Sequence, residues 1–332
     1  MPRVYGITNR KGGQGKSTTV ATLARLCALY GARTPVIDLA QPGSCAGSLR
    51  DIWPEIEHGD LSSALLALRE WPAGQQPSVE AARAALDEVD LPAWLNAQPS
   101  WDGGAIAVLP WDDMLGEAAA FLQSELTLRG LIAALDDEID VALIDYPGDT
   151  GPLMTTALSA TDSILAPLTP ETPALEGVAA TLRMLARVRA VGHPIELGGI
   201  LITCADSKSK RLIEITQALR QAGEIEGESL QRKVLPFAIR ANEYFEQAFR
   251  YGEPIWERTN SQREWAGYVL LAEWLLRDAG LDELAANRRG PAMLAPETRV
   301  IDTTTVLLNQ NEPMLADFEQ AHTLWPERHL ES

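Results

Sequence analysis

Short apolar runs alternate with stretches of helical spacing along most of the first 280 residues. Val4 to Thr8 alternates apolar with small positions and reads as a strand; glycines follow, and Ser17 to Tyr30 places apolar residues at helical spacing. Thr34 to Leu39 is a β-branched run that ends in an acidic residue and a Gln41-Pro42-Gly43 turn, the pattern of a second buried strand. Ala105 to Leu109, Val141 to Asp145, Ser163 to Pro167 and Gly199 to Thr203 repeat this form, with helical stretches between them. Lys233 to Pro236 is one more short strand, followed by helix from Ala241 and again over Gln262 to Ala279. Alternation of this kind is what βαβ crossovers produce, so the chain is expected to be α/β, with a mostly parallel, doubly wound sheet flanked by helices.

Two regions depart from the pattern. Residues 47–104 are rich in Ala, Leu and Trp, are broken by Pro77, Pro92 and Pro99, and read as a helical insertion. Beyond Leu284 the chain turns linker-like over Asn287 to Pro296, strand-like over Thr298 to Leu308 and helical over Glu312 to Trp325. The expected organisation is one domain over residues 1–284, carrying that insertion, and a C-terminal extension over 285–332.

At 332 residues with 46% hydrophobic and 22% charged positions, the chain can bury a substantial core. A net charge of −18 repels polyanions on average, which excludes indiscriminate adhesion to nucleic acid while leaving room for a local basic face. Cys27, Cys45 and Cys204 are scattered, show no metal-ligand spacing and cannot all pair, which fits a reducing compartment. No apolar run approaches the roughly 18 to 20 residues of a membrane span, and no secretory signal precedes the first strand. The expectation is a cytoplasmic protein.

The candidate chemistry lies between the first strand and the first helix, where Lys11 to Thr18 reads Lys-Gly-Gly-Gln-Gly-Lys-Ser-Thr. Glycine-rich loops bind phosphate because consecutive backbone N–H groups converge on it and the following helix presents unpaired amides and its positive dipole end. Gly12, Gly13, Gln14 and Gly15 would form the cradle, Lys16 would reach the β- and γ-phosphates, Ser17 would offer a hydroxyl to Mg²⁺, and Thr18 would complete the helix start. The first glycine of the general pattern falls at Arg10, so this is a variant form, marked by a second lysine at Lys11. A ligand-free turn is the plain alternative; a strand before, a helix after, and lysine and hydroxyl in register outweigh it. Asp145, at the C-terminal end of an apolar strand where ligands collect in open α/β sheets, is expected to hold Mg²⁺ through water.

This motif resembles the deviant Walker A motif of the ParA/MinD ATPase family. Ile144-Asp145-Tyr146-Pro147 resembles that family's Walker B segment, and Ala174-Leu175-Glu176-Gly177 the start of a characteristic helix. Val234-Leu235-Pro236 and Gly252-Glu253-Pro254-Ile255 resemble its C-terminal nucleotide-side loop and closing segment. The likeness covers most of residues 1–280 outside the insertion and is nearest to ParA/Soj-type partition ATPases. It implies ATP rather than GTP, Mg²⁺ held by Ser17, Asp38 and Asp145, and a base pocket near Thr203 and Pro236. It also implies an ATP-dependent sandwich homodimer in which Lys11 reaches the partner's phosphates, and a ParB-like or other stimulating partner protein.

One departure bears on activity. The family's second acidic segment usually reads Asp-x-Asp-Pro-Gln-Gly, whereas this chain reads Asp38-Leu39-Ala40-Gln41-Pro42-Gly43. Asp38 is retained, but Ala40 stands where the second aspartate would orient the attacking water, and a methyl group can neither accept a proton nor orient a water. Hydrolysis is therefore expected to be slow or absent. Ala40 reads either as a natural loss or relocation of the catalytic group or as an engineered Asp→Ala change that traps the ATP state; a nucleotide-dependent scaffold that binds without turnover is the alternative function.

For non-specific DNA binding the candidates are Lys208, Lys210 and Arg211, with Arg240 and Arg250 in the region where relatives carry contact residues. A solvated helix face is the competing reading. The chain ends Trp325-Pro326-Glu327-Arg328-His329-Leu330-Glu331-Ser332, neither strongly basic nor amphipathic, which argues against a membrane-anchoring helix. Trp53, Trp71, Trp94, Trp101 and Trp325 are read mainly as core residues.

Overall fold

The computed structural model describes residues 1–9, 12–40, 44–49, 61–87, 96–97, 103–110, 113–147, 151–171, 174–303 and 315–317. Its strands are β1 (Arg3–Ile7), β2 (Arg33–Asp38), β3 (Asn96–Ala97), β4 (Ala105–Leu109), β5 (Val141–Asp145), β6 (Ser163–Leu168), β7 (Glu196–Ala205), β8 (Glu224–Ile225), β9 (Glu228–Ser229), β10 (Val234–Arg240), β11 (Arg299–Asp302) and β12 (Leu315–Asp317). The main sheet has the order β12-β11-β10-β7-β6-β1-β5-β2-β4-β3, and from β10 to β4 every neighbouring pair is parallel. β8 and β9 form a separate hairpin whose two turn residues, Glu226 and Gly227, both take positive φ.

Period-two alternation sorts side chains onto the two faces of this sheet. Tyr5, Ile7, Val36, Val108, Val141 and Leu143 join one hydrophobic cluster with α1 (Lys16–Leu29) and the later helix over Ala266–Asp278. Val4, Ile37, Ala107, Leu109, Ala142 and Ile144 join the other. That second cluster is closed by helices from the middle of the chain. After the short α2 (Ser44–Gly47) come α3 (Leu61–Ala67), α4 (Val79–Asp87), α5 (Leu115–Phe121), α6 (Thr127–Ala133), α7 (Pro152–Ala160) and α8 (Ala174–Ala190). The remaining helices are α9 (Lys210–Gln221), α10 (Leu230–Lys233), α11 (Tyr244–Tyr251), α12 (Ala266–Asp278) and α13 (Asp282–Ala285). No helix among the described residues is long and apolar enough to cross a membrane.

The insertion and the extension are more closely built into the fold than their sequences suggest. Leu61, Leu65, Ala82 and Leu86 of α3 and α4 belong to the same core cluster as α5 to α8, so these helices are part of the flanking layer. Within the stretch read as helical, Asn96–Ala97 is a strand, paired antiparallel to the edge of β4. The predicted strand over Thr298 to Leu308 is β11, limited to Arg299–Asp302 and antiparallel to β10; residues 304–308 lie outside the described residues. The helix expected over Glu312 to Trp325 is corrected where it is described: Leu315–Asp317 is β12, antiparallel to β11. A free strand edge presents N–H and C=O groups that pairing satisfies, and this outweighs local helical spacing in so short a segment. Of the tryptophans, Trp71 is half-buried against the core, whereas Trp53, Trp94, Trp101 and Trp325 lie outside the described residues.

Boundaries moved elsewhere as well. β10 continues to Arg240, α11 begins at Tyr244, and α12 begins at Ala266 after a 3-10 turn over Gln262–Glu264.

Candidate functional site

The candidate residues gather where the parallel strands end. Gly12 to Gly15 follow β1, Asp38 ends β2, Asp145 ends β5, Thr169 follows β6, and Thr203 lies near the end of β7. Gly13 and Gly15 take φ of +72° and +76°, backbone that side chains with a Cβ rarely adopt, and beyond their chain neighbours no atom of the described residues lies within 4 Å of where a Cβ would sit on either. Gly15 is the left-handed N-cap of α1, and the first intrahelical bond runs from the Thr19 N–H to the Gly15 carbonyl at 2.9 Å. Amides of the first turn thus precede the ladder and face the loop. Lys11, and with it Arg10, Gln41, Pro42 and Gly43, lies outside the described residues.

Asp145 is fully buried; neither carboxylate oxygen makes a well-formed hydrogen bond among the described residues, although the Ser17 hydroxyl is near enough to stabilise its charge. Burial pushes its carboxyl up to about 7, the nearby Asp38 charge adds to the rise, and the Ser17 hydroxyl and Lys16 ammonium oppose it. The same proximity appears from the other side: burial lowers the Lys16 pKa and Asp145 raises it. Buried carboxylates are normally paired, so one without a well-formed hydrogen bond beside a P-loop hydroxyl and lysine is a fit to a divalent cation. Ser17 and Asp145 are the groups that would hold it.

Asp38 sits in register with Asp145 on the adjacent strand but is differently employed. Its Oδ1 accepts from the Ala40 N–H at 3.1 Å and its Oδ2 from the Ala46 N–H at 2.8 Å. Burial still lifts its carboxyl to about 6, and the amides of Ala46, Ala40 and Cys45 restrain the rise. Each Asp38 oxygen accepts one amide and keeps a lone pair, so a role for Asp38 beside the cation stays compatible with these contacts. Ala40 is half-buried directly after that strand and contributes its amide alone to the polar network.

Both base-pocket candidates make contacts within the sheet framework. Pro236 is buried inside β10, with its carbonyl taking the Thr303 N–H at 3.0 Å, which places it in the sheet and away from the strand's end. Thr203 is buried, and its hydroxyl donates to the Gln14 carbonyl at 3.1 Å. It therefore supports the P-loop from behind.

Several contributors carried no motif signal. Gln14 is 3% exposed, the only buried residue from Gly12 to Thr18. Its Oε1 accepts from the Thr169 N–H at 2.8 Å and the Thr169 hydroxyl at 3.1 Å. The Asn9 amide donates to the Pro167 carbonyl at 2.7 Å, and the Thr19 and Tyr268 hydroxyls lie 3.1 Å apart. A polar residue directly after an apolar strand, as Thr169 is after β6, was the available sequence cue. The Ala174 to Gly177 segment has a steric explanation: a Cβ on Gly177 would sit 2.8 Å from the Asn9 Oδ1. Gly252 caps α11 in left-handed conformation, and its carbonyl accepts from the buried Arg25 Nη2 at 3.0 Å, tying the closing segment to α1. A cavity of about 500 Å³ runs from Asn9, Gly12 and Lys16 along α7 and α8, with Met154 and Leu158 on one side and Arg183 and Arg187 on the other.

Of the basic candidates, Lys208, Lys210 and Arg211 are exposed at the start of α9. Arg240 pairs with Ala205 at the end of β7, and its Nε is buried without a hydrogen-bond partner among the described residues. Arg250 stands on α11, paired with Glu246 at 2.8 Å.

The model of the CobQ/CobB/MinD/ParA nucleotide-binding domain matches residues 5–255. The sporulation initiation inhibitor protein Soj of Bacillus subtilis is 25% identical over 257 residues, 77% of this chain and 90% of that protein. The chromosome partitioning protein ParA of Myxococcus xanthus is 28% identical over 254 residues, 76% of this chain and 80% of that one. Among solved structures, the cobyrinic acid a,c-diamide synthase of Mycobacterium smegmatis with bound ADP and magnesium is 26% identical, with a TM-score of 0.56 over 76% of this chain and 91% of that one.

Proposed function

This chain belongs to the CobQ/CobB/MinD/ParA nucleotide-binding domain family, and from that premise we propose that it is a ParA-like partition or positioning protein that binds ATP with Mg²⁺ and forms a nucleotide-sandwich homodimer. Asp145 carries the reading: a buried carboxylate, without a well-formed hydrogen bond and stabilised by Ser17 and Lys16 nearby, at the mouth of a loop whose glycines leave room for phosphate. Bound Mg²⁺ would offset the charge of the phosphates there. The amides at the start of α1 and the Lys16 ammonium would bind the phosphates directly, Ser17 and Asp145 would hold the cation, and Lys11 would cross to the partner's phosphates.

Ala40 limits turnover. Its methyl group cannot orient water, and Asp38 already accepts backbone amides with both oxygens, so hydrolysis is impaired. The second reading, a non-hydrolysing scaffold that localises a ParB-like or other partner protein, rests on the same residue. Phosphate release from ATP and Mg²⁺ by the parent and by Ala40→Asp separates them. A gain of about 100-fold or more in the variant is the result expected of a site complete but for one carboxylate; equal inertness of both proteins would reject the impaired-ATPase reading in favour of the scaffold.

Lys208, Lys210, Arg211 and Arg240 support non-specific DNA binding, and hence association with the nucleoid in the cytoplasm, because the first three are exposed around the start of α9 and Arg240 pairs with the end of β7 that leads there. Duplex DNA should bind with ATP, weaken steeply with salt and release on Lys210→Glu with Arg211→Glu. No binding at low salt in ATP would dispose of this component.

A further inference from the structure

The P-loop's own geometry leaves its shape undetermined. Two glycines in left-handed conformation flank Gln14, and no neighbouring atom of the described residues limits a Cβ at either. Residues so placed have many backbone states, and holding them in one arrangement requires contacts from outside the loop. Gln14 supplies them. Its side-chain carbonyl takes both the N–H and the hydroxyl of Thr169, its side-chain amide donates to the Gly12 carbonyl at 3.3 Å, and its backbone carbonyl takes the Thr203 hydroxyl.

Thr169 and Thr203 come from neighbouring parallel strands, since Leu168 pairs with Ile202. Thr169 also leads into α8, whose Gly177 abuts Asn9, and Asn9 in turn donates to Pro167 in β6. Both ends of the loop are therefore tied to the segment that runs from β6 into α8.

We propose that Gln14, Thr169 and Thr203 are positioning residues that hold the P-loop in its phosphate-binding shape and couple nucleotide occupancy to the β6–α8 connection. The inference rests on the nucleotide-binding reading above and adds a role that the motif alone does not assign. A loop ordered before binding loses less freedom on binding, so the clamp raises affinity without touching phosphate. Because the bonds that Gln14 makes with Thr169 and Thr203 are buried, breaking them leaves groups unsatisfied.

The test measures ADP·Mg²⁺ affinity by calorimetry for the parent, Gln14→Met, Thr169→Val and Thr169→Ser. Hydrogen exchange is followed over residues 169–180 in each protein, free and saturated with ADP·Mg²⁺. Gln14→Met should weaken binding about tenfold, the effect of about one buried hydrogen bond. Thr169→Val should weaken it less, and Thr169→Ser, which keeps the hydroxyl, should bind as the parent does.

At saturation the parent should gain protection over residues 169–180, whereas Gln14→Met should gain it in the P-loop alone. A purely structural role would change the melting temperature but not this pattern. Should Gln14→Met not fold, the contrast between valine and serine at position 169 decides. Parent-like affinity and parent-like protection in Gln14→Met, or in Thr169→Val where that contrast decides, would overturn the clamp. A parent protein that fails to bind ADP·Mg²⁺ at all would instead overturn the nucleotide reading, and the clamp with it.

Discussion

Asp38 and Asp145 end neighbouring strands in register, yet their surroundings give them different work. Asp38 accepts backbone amides with both oxygens, whereas Asp145 is buried without a well-formed hydrogen bond, at an energetic cost to the free protein. The cost has a pH signature. Burial and Asp38 raise the Asp145 carboxyl from 3.8 to about 7. A folded-state value above the unfolded one gives a stability contribution that is full below about pH 4 and lost as pH rises through about 7. Asp145→Asn removes the charged form, so it should raise the melting temperature of the nucleotide-free protein at pH 8 by about 3 °C or more and have little effect at pH 5. Binding of Mg²⁺ with nucleotide runs in the opposite sense: it needs the carboxylate, strengthens from pH 6 to 8 in the parent and loses that dependence in the variant. Thermal melts and calorimetric titrations across that range check both signs. An unchanged stability slope in Asp145→Asn would show that the carboxyl is not the group responsible.

At the scale of elements, the alternation of strands and helices was legible because buried parallel strands are short apolar runs with sharp ends. β4 and β5 fall where periodicity placed them, and α1 lies within one residue of its expected span at each end. The P-loop and Asp145 were legible for a related reason: motif spacing and strand ends fix where chemistry can sit. What escaped was decided by distant partners. β12 carries no strong local signal and exists as a strand through pairing with β11. Thr203 and Thr169 are ordinary hydroxyls in sequence and become P-loop supports only once β6 and β7 lie side by side.

The extension is fixed by another such long-range contact. Glu273 of α12 is fully buried, accepts from the Tyr30 hydroxyl at 2.6 Å and from the Arg288 Nε at 2.7 Å, and so joins α1, α12 and the start of the extension. Burial raises its pKa, while Tyr30 and Arg288 favour the charged form. Arg288→Ala removes one partner from a buried charge and should cost about 2 kcal/mol, read as a melting temperature lower by roughly 4 °C. A melt indistinguishable from the parent would mean that the extension is not tied to the core by this contact.

For the whole molecule, the sheet gathers the P-loop, Asp145 and the supporting hydroxyls at one end, and the net charge of −18 confines any attraction for phosphate to that end and to the basic edge at α9. A strongly acidic protein should not self-associate through general electrostatics, so in the proposed dimer the triphosphate would bring two copies together and Lys11 would contribute across the interface. Mass in solution by light scattering, without nucleotide, with ADP and with ATP, for the parent and Lys11→Ala, tests this most directly. The expected result is a dimer in ATP alone, reverting to monomer in the Lys11→Ala variant. A mass indifferent to nucleotide, or a dimer that persists without Lys11, would contradict it.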